Sequence, residues 1–166
     1  MVANIKYVKS LSRDRTPIPE TSGNVYKIKD ALEFDALLSS NTHVVVDFYA
    51  DWCPPCPAIA PTFSKLADDH ATKARLAFAK VNVDHTQNIA SRYNVSAMPT
   101  FVFFENGQPQ SVAVKSAVGS PSLKDGKVER IRGADAMALR NVVLALSDKL
   151  RDIVPGASDG VVSEEM

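Results

Sequence analysis

A chain of 166 residues with 45% hydrophobic and 23% charged positions has the size and composition of one folded domain, outside the disordered and fibrous classes. Lys plus Arg and Asp plus Glu both number 19, so no net field draws in nucleic acid or an acidic membrane surface. The longest apolar run, residues 44–50, already contains Asp47 and falls far short of the roughly 18–20 residues of a membrane span.

Residues 1–23 lack periodicity and read as a flexible extension. They are basic and Ser-containing but carry no apolar stretch of a secretory signal, and Asp14 with the lack of an Arg-rich face counts against a mitochondrial presequence. The expected location is therefore the cytoplasm, with nucleus and mitochondrion as alternatives. Residues 25–29 alternate as a strand, after which Asp30 caps a helix whose inward positions are read as Leu32, Phe34, Leu37 and Leu38. Residues 43–50, HVVVDFYA, are β-branched, aromatic and nearly all apolar, as a central strand covered on both faces requires.

A helix is expected over residues 57–73, with Ile59, Phe63 and Leu66 inward and Pro61 removing one internal hydrogen bond. A strand over 76–83 and a short helix over 86–93 follow. Residues 100–104 form a strand ending in Asn106-Gly107, a hairpin signal. Residues 109–126 then exceed the 2–5 residues of a usual hairpin connection and count as an insertion, whose SVAVKSAV half alternates as an extra strand would. A last strand spans 127–132. Gly133 breaks the chain, Asp135 caps, and Leu139, Val142, Val143, Leu146 and Leu150 stripe a final helix. The order βαβαβαββα makes an α/β fold, a mixed sheet with helices on both faces. Residues 24–150 form the domain, and 151–166 a flexible tail.

Cysteine usage narrows the chemistry. Cys53 and Cys56 are the only two cysteines and form a single C-x-x-C, too few for a disulfide scaffold. His43, His70 and His85 are scattered, so a zinc site lacks ligands and no metal is expected. Pro57 stands where haem attachment needs His. What remains is a redox dithiol. Directly after a central strand and at the opening of a helix, Cys53 lies over a helix N-terminus that favours a thiolate, which makes it the nucleophile. Cys56, one turn later and deeper, is the resolving thiol.

VVVDFYADWCPPCPAIAPTF resembles the active-site segment of thioredoxins, FAKVNVD the strand after it, and NVSAMPTFVFFENGQ the segment carrying that family's cis-proline. The resemblance covers about 110 residues between 25 and 150 without the insertion. It implies a thioredoxin fold and dithiol–disulfide exchange with no bound cofactor. Electrons would come from NADPH through a thioredoxin-reductase-type flavoprotein, partners would be protein disulfides, and the chain would be a monomer. It also implies that Trp52 flanks the nucleophile, that Asp47 is a buried acid with Lys80 as partner, that Pro99 is cis, and that Gly133 borders the substrate groove. Burial of a carboxylate inside VVVDFYA should raise its pKa and suit Asp47 to act as base for Cys56, against the plainer reading of a core Asp paired with Lys80. A cis-proline facing the cysteines would leave Met98 backbone groups free to pair with an extended substrate.

This chain departs from the family in having Pro54-Pro55 between the cysteines, on the substrate-facing turn, and Pro57 after them, where thioredoxins usually have Gly-Pro and Lys. WCPPC itself is typical of tryparedoxin-like and nucleoredoxin-like members. The prolines stiffen the turn, and the missing lysine removes one local positive charge. Gly119, in the insertion, rivals Gly133 for the groove position. The expected activity is protein-disulfide reduction. The alternatives are a disulfide isomerase or oxidase, which lacks support from a signal or a KDEL-type terminus, and a non-catalytic interaction module.

Overall fold

In a computed structural model, residues 22–119 and 121–153 are described. Of the two expected flexible termini, residues 1–21 and 154–166 lie outside the described residues, while 151–153 continue the last helix. The elements run β1 (Val25–Ile28), α1 (Ala31–Ser40), β2 (His43–Tyr49), α2 (Cys56–His70), β3 (Leu76–Asn82), α3 (Gln87–Arg92), β4 (Thr100–Glu105), β5 (Gln108–Pro109), β6 (Ser122–Lys124), β7 (Lys127–Arg132) and α4 (Ala136–Ile153). One mixed sheet has the order β1-β3-β2-β4-β7-β6, with β5 paired to β4. β1 and β2 run parallel to β3, and β4 turns antiparallel to β2 and β7. The expected α/β architecture is thus the observed one.

β2 sits in the middle of the sheet, and six of its seven residues are buried, which explains its unbroken apolar run. Two cores flank it. On one face, α2 and α4 bury Ile59, Phe63, Leu66, Leu139, Val142 and Leu146 against Val45, Phe78 and Phe101. On the other, α1 and α3 bury Phe34, Leu37, Leu38 and Ile89 against Val44, Val46, Phe48 and Phe104. Burial of each large side chain is worth roughly 1.5–3 kcal/mol. Asp30 and Asp135 cap their helices as expected, accepting from the Glu33 amide at 2.8 Å and the Ala138 amide at 3.0 Å.

Leu32 is not inward: it is 82% exposed. Two residues from Phe34 are about 200° of helical rotation, so both cannot face the sheet. α2 stops at His70 because residues 72–76 form a tight bridge, Thr72 and Leu76 exchanging two 2.9 Å backbone bonds with Ala74 in a left-handed conformation. The insertion also differs from expectation. Its alternating half contributes only a two-way bridge between Val112 and Val128, and the extra strand, β6, comes from the other half.

Candidate functional site

The redox pair lies where β2 ends and α2 begins. Cys53 and Cys56 are joined as a disulfide with Cα atoms 5.4 Å apart. β2 delivers the chain to the end of the sheet, a turn follows in which the Cys53 amide donates to the Ala50 carbonyl, and Cys56 is the first residue of α2. Pro54, Pro55 and Pro57 carry no N–H, and the Cys56 and Ala58 amides donate to the Cys53 and Pro55 carbonyls. The helix end therefore presents fewer free donors to a Cys53 thiolate than a proline-free turn would.

The expected contrast of an open Cys53 and a deeper Cys56 is absent in this oxidised state: they are 1% and 2% exposed. Tyr49, Val83 and Met98 pack against the pair together with Ala50. Met98 precedes a cis peptide bond to Pro99, and the Pro99 carbonyl accepts a 2.7 Å bond from the Gly133 amide. This bond lines up cysteines, Met98–Pro99 and Gly133 along one strip. Gly133 has φ +96°, and nothing lies within 4 Å of where a Cβ would stand, so one side of the strip is open. Gly119, the rival position, lies instead against the Asp135 carboxylate, two residues along the chain from Gly133.

Trp52, 41% exposed, borders the pair on the solvent side, and its indole N–H donates to Asp84 Oδ2 at 2.8 Å. Asp84 is set by Asn82, whose Oδ1 accepts the Asp84 amide at 2.9 Å and whose Nδ2 reaches Asp51 at 3.4 Å. Sequence reasoning missed Asp84 and Asn82; the signal was the VNVD that closes the strand, polar residues at a strand end beside the site. Met137, in the first turn of α4, is 57% exposed and so is not core packing.

Asp47 lies in mid-β2, paired in register with Lys80 on β3 and with Phe101 on β4. Burial pushes its carboxyl up to about 7 from 3.8, with the Lys80 charge pulling the other way. Its Oδ1 is sealed from solvent without a hydrogen-bond partner. Lys80 lies 4.9 Å from the centre of the Tyr49 ring. Burial, and next the charge of Asp51, push the Tyr49 hydroxyl up, so the phenol stays neutral beside the cysteines. A carboxyl that gains and loses its proton near neutrality is suited to proton transfer. No group of three or more His, Cys, Asp or Glu among the described residues could hold a metal ion. The arrangement offers a dithiol, a buried acid–base group in the strand that leads to it, and an open strip for an extended chain.

The sequence model of the Thioredoxin family matches residues 25–126. A thioredoxin-like protein of Fusarium culmorum is 48% identical over 115 residues, covering 69% of this chain and 90% of that protein. A thioredoxin of Neurospora crassa is 47% identical over 119 residues, covering 72% and 84%. Among solved structures, oxidised mitochondrial thioredoxin 3 of Saccharomyces cerevisiae superposes with a TM-score of 0.57 at 31% identity, covering 72% of this chain and 93% of that one.

Proposed function

The chain belongs to the thioredoxin family, a family of thiol–disulfide oxidoreductases, and on that premise we propose that it reduces disulfides in proteins through Cys53 and Cys56. One observation carries the reading: a buried Cys53–Cys56 disulfide strapped by Met98–Pro99, beside a strip left open at Gly133. Reduced Cys53 attacks a substrate disulfide as thiolate, one substrate sulfur leaves as thiolate, and a mixed disulfide on Cys53 results. Cys56 then attacks the Cys53 sulfur, passing its proton toward Asp47. The second substrate thiolate leaves, and the Cys53–Cys56 disulfide re-forms. Lys80 keeps the Asp47 carboxylate accessible by partly offsetting its desolvation.

Trp52, Pro54, Pro55, Met98, Pro99 and Gly133 supply the surface on which a protein segment lies extended. Met98 offers backbone groups for pairing and Gly133 offers room. The fold needs no bound cofactor for this chemistry; NADPH-derived electrons delivered by a thioredoxin-reductase-type flavoprotein would return the pair to the dithiol. The protein would act as a monomer in a reducing compartment, the cytosol in the first instance.

The test is direct. Pre-reduced protein mixed with insulin should lose two thiols per chain while insulin gains them, and Cys53→Ser should abolish the transfer. Transfer that persists in Cys53→Ser would refute the assignment. An interaction module would instead keep its function in that variant.

A further inference from the structure

The inserted segment is pinned at three points. Val112 exchanges backbone bonds of 2.8 and 2.9 Å with Val128, the Ser116 carbonyl accepts from Asn141 Nδ2 at 3.4 Å, and Gly119 lies against the Asp135 carboxylate. A loop that merely decorated the hairpin would need none of these. Gly119 has φ +88°, and a Cβ there would overlap both Asp135 carboxylate oxygens. The carboxylate has little freedom to yield, because Asp135 Oδ1 also accepts the Ala138 amide that starts α4. Gly119 is therefore the residue that lets the segment close onto the helix start.

That helix start adjoins the reactive strip. Asp135 comes two residues after Gly133, whose amide is bonded to the Pro99 carbonyl, and Met98 packs on the cysteines. Gly119 thus meets the chain two residues from Gly133, in the stretch where Ala134 and Met137 are exposed. An unbranched, exposed methionine there adapts to varied apolar partners.

We propose that residues 116–119, with Met137, form an added wall of the groove on its Gly133 side. A disulfide-bearing protein segment lying extended along Met98–Pro99 and Gly133 would rest against this wall, whereas a small disulfide would not reach it. The occupant follows from continuity: the wall extends the strip on which the substrate already lies, on the side where that strip is open at Gly133. The segment thereby selects protein over small-molecule disulfides. This inference rests on the disulfide-exchange reading above.

The experiment uses the full chain carrying Cys56→Ser, reduced and then reacted with insulin or with glutathione disulfide. In each case Cys53 displaces one sulfur of the probe and keeps the other as a mixed disulfide. Amide hydrogen exchange at residues 113–119 and 134–138 should be slowed about fivefold or more in the insulin adduct relative to the glutathione adduct. Equal exchange in the two adducts would overturn the docking role alone. Failure to form either adduct would overturn the exchange chemistry and the inference with it. In the otherwise unaltered protein, Gly119→Ala should lower the ratio of insulin to glutathione disulfide rate constants about threefold or more. An unchanged ratio in a folded variant would also refute the wall.

Discussion

Replacing Asp47 with Asn removes, among the described residues, the one buried acid, and its effect can be worked from the structure. The native carboxyl titrates at about 7 and the unfolded one near 3.8, a difference of about three pKa units. At 1.36 kcal/mol per unit this is about 4 kcal/mol of differential stability. The sign follows from proton uptake: between those two values the native state holds a proton that the unfolded state has released, so rising pH favours unfolding. The native protein should therefore lose stability as pH climbs from about 4 through 7 and level off above, while Asn titrates nowhere. Subtracting the two proteins cancels every other group. Urea unfolding of both oxidised proteins at pH about 4.5 and about 8.5 should show Asp47→Asn gaining about 3 kcal/mol on the native chain between those values. A difference that stays constant within about 0.5 kcal/mol would refute both the burial argument and the proton-transfer role built on it.

Other consequences are equally open to measurement. Pro57→Lys restores an N–H in the first turn of α2 and adds a positive charge, so the pH at which Cys53 becomes alkylated by iodoacetamide should fall by about half a unit or more. An unchanged or higher value would contradict the helix-end account. Phe63, fully buried and 5.7 Å between ring centres from both Phe78 and Phe101, should cost about 3–5 kcal/mol in urea unfolding when replaced by Ala. Glu105 is held below the usual carboxylate range by its bonds to Lys149 and His43, so its contribution is present above the unfolded carboxylate pKa and lost as pH falls through the native one. Glu105→Gln should therefore flatten the acid-side loss of stability; an unchanged acid limb would show that the cluster is not coupled to folding.

How much could be read in advance depended on the kind of signal. Strands covered on both faces, such as β2, announce themselves by composition, and Asp30 and Asp135 by their place before apolar stripes. Asn106-Gly107 makes its turn with both residues at positive φ, as the hairpin rule requires. The insertion was different. Alternation tells which side chains would share a face, not whether a sheet edge is free, and beyond Val112 the segment leaves the sheet to cross α4, while three residues at 122–124 take the edge of β7.

The site divides in the same way. Cys53 and Cys56 carry a local signal, a C-x-x-C between a strand and a helix, whereas Asp47, Trp52 and Pro99 were picked out by the family resemblance of their segments. Asp84 becomes visible only when β3 brings it beside Trp52, 32 positions away in sequence. The sealing of both cysteines depends on Met98 folding across from a distant loop, which no local pattern encodes. The exposure of Met137, by contrast, follows from helical spacing alone: two residues from Leu139 of the apolar stripe, it points away from the core.

The reduction potential of the Cys53–Cys56 pair, obtained by equilibrating the protein against glutathione and counting free thiols, tests the central claim most directly. A protein-disulfide reductase should give a value near about −270 mV, poised to donate electrons. A value near about −180 mV or above would contradict the account and mark the pair as a donor of disulfides.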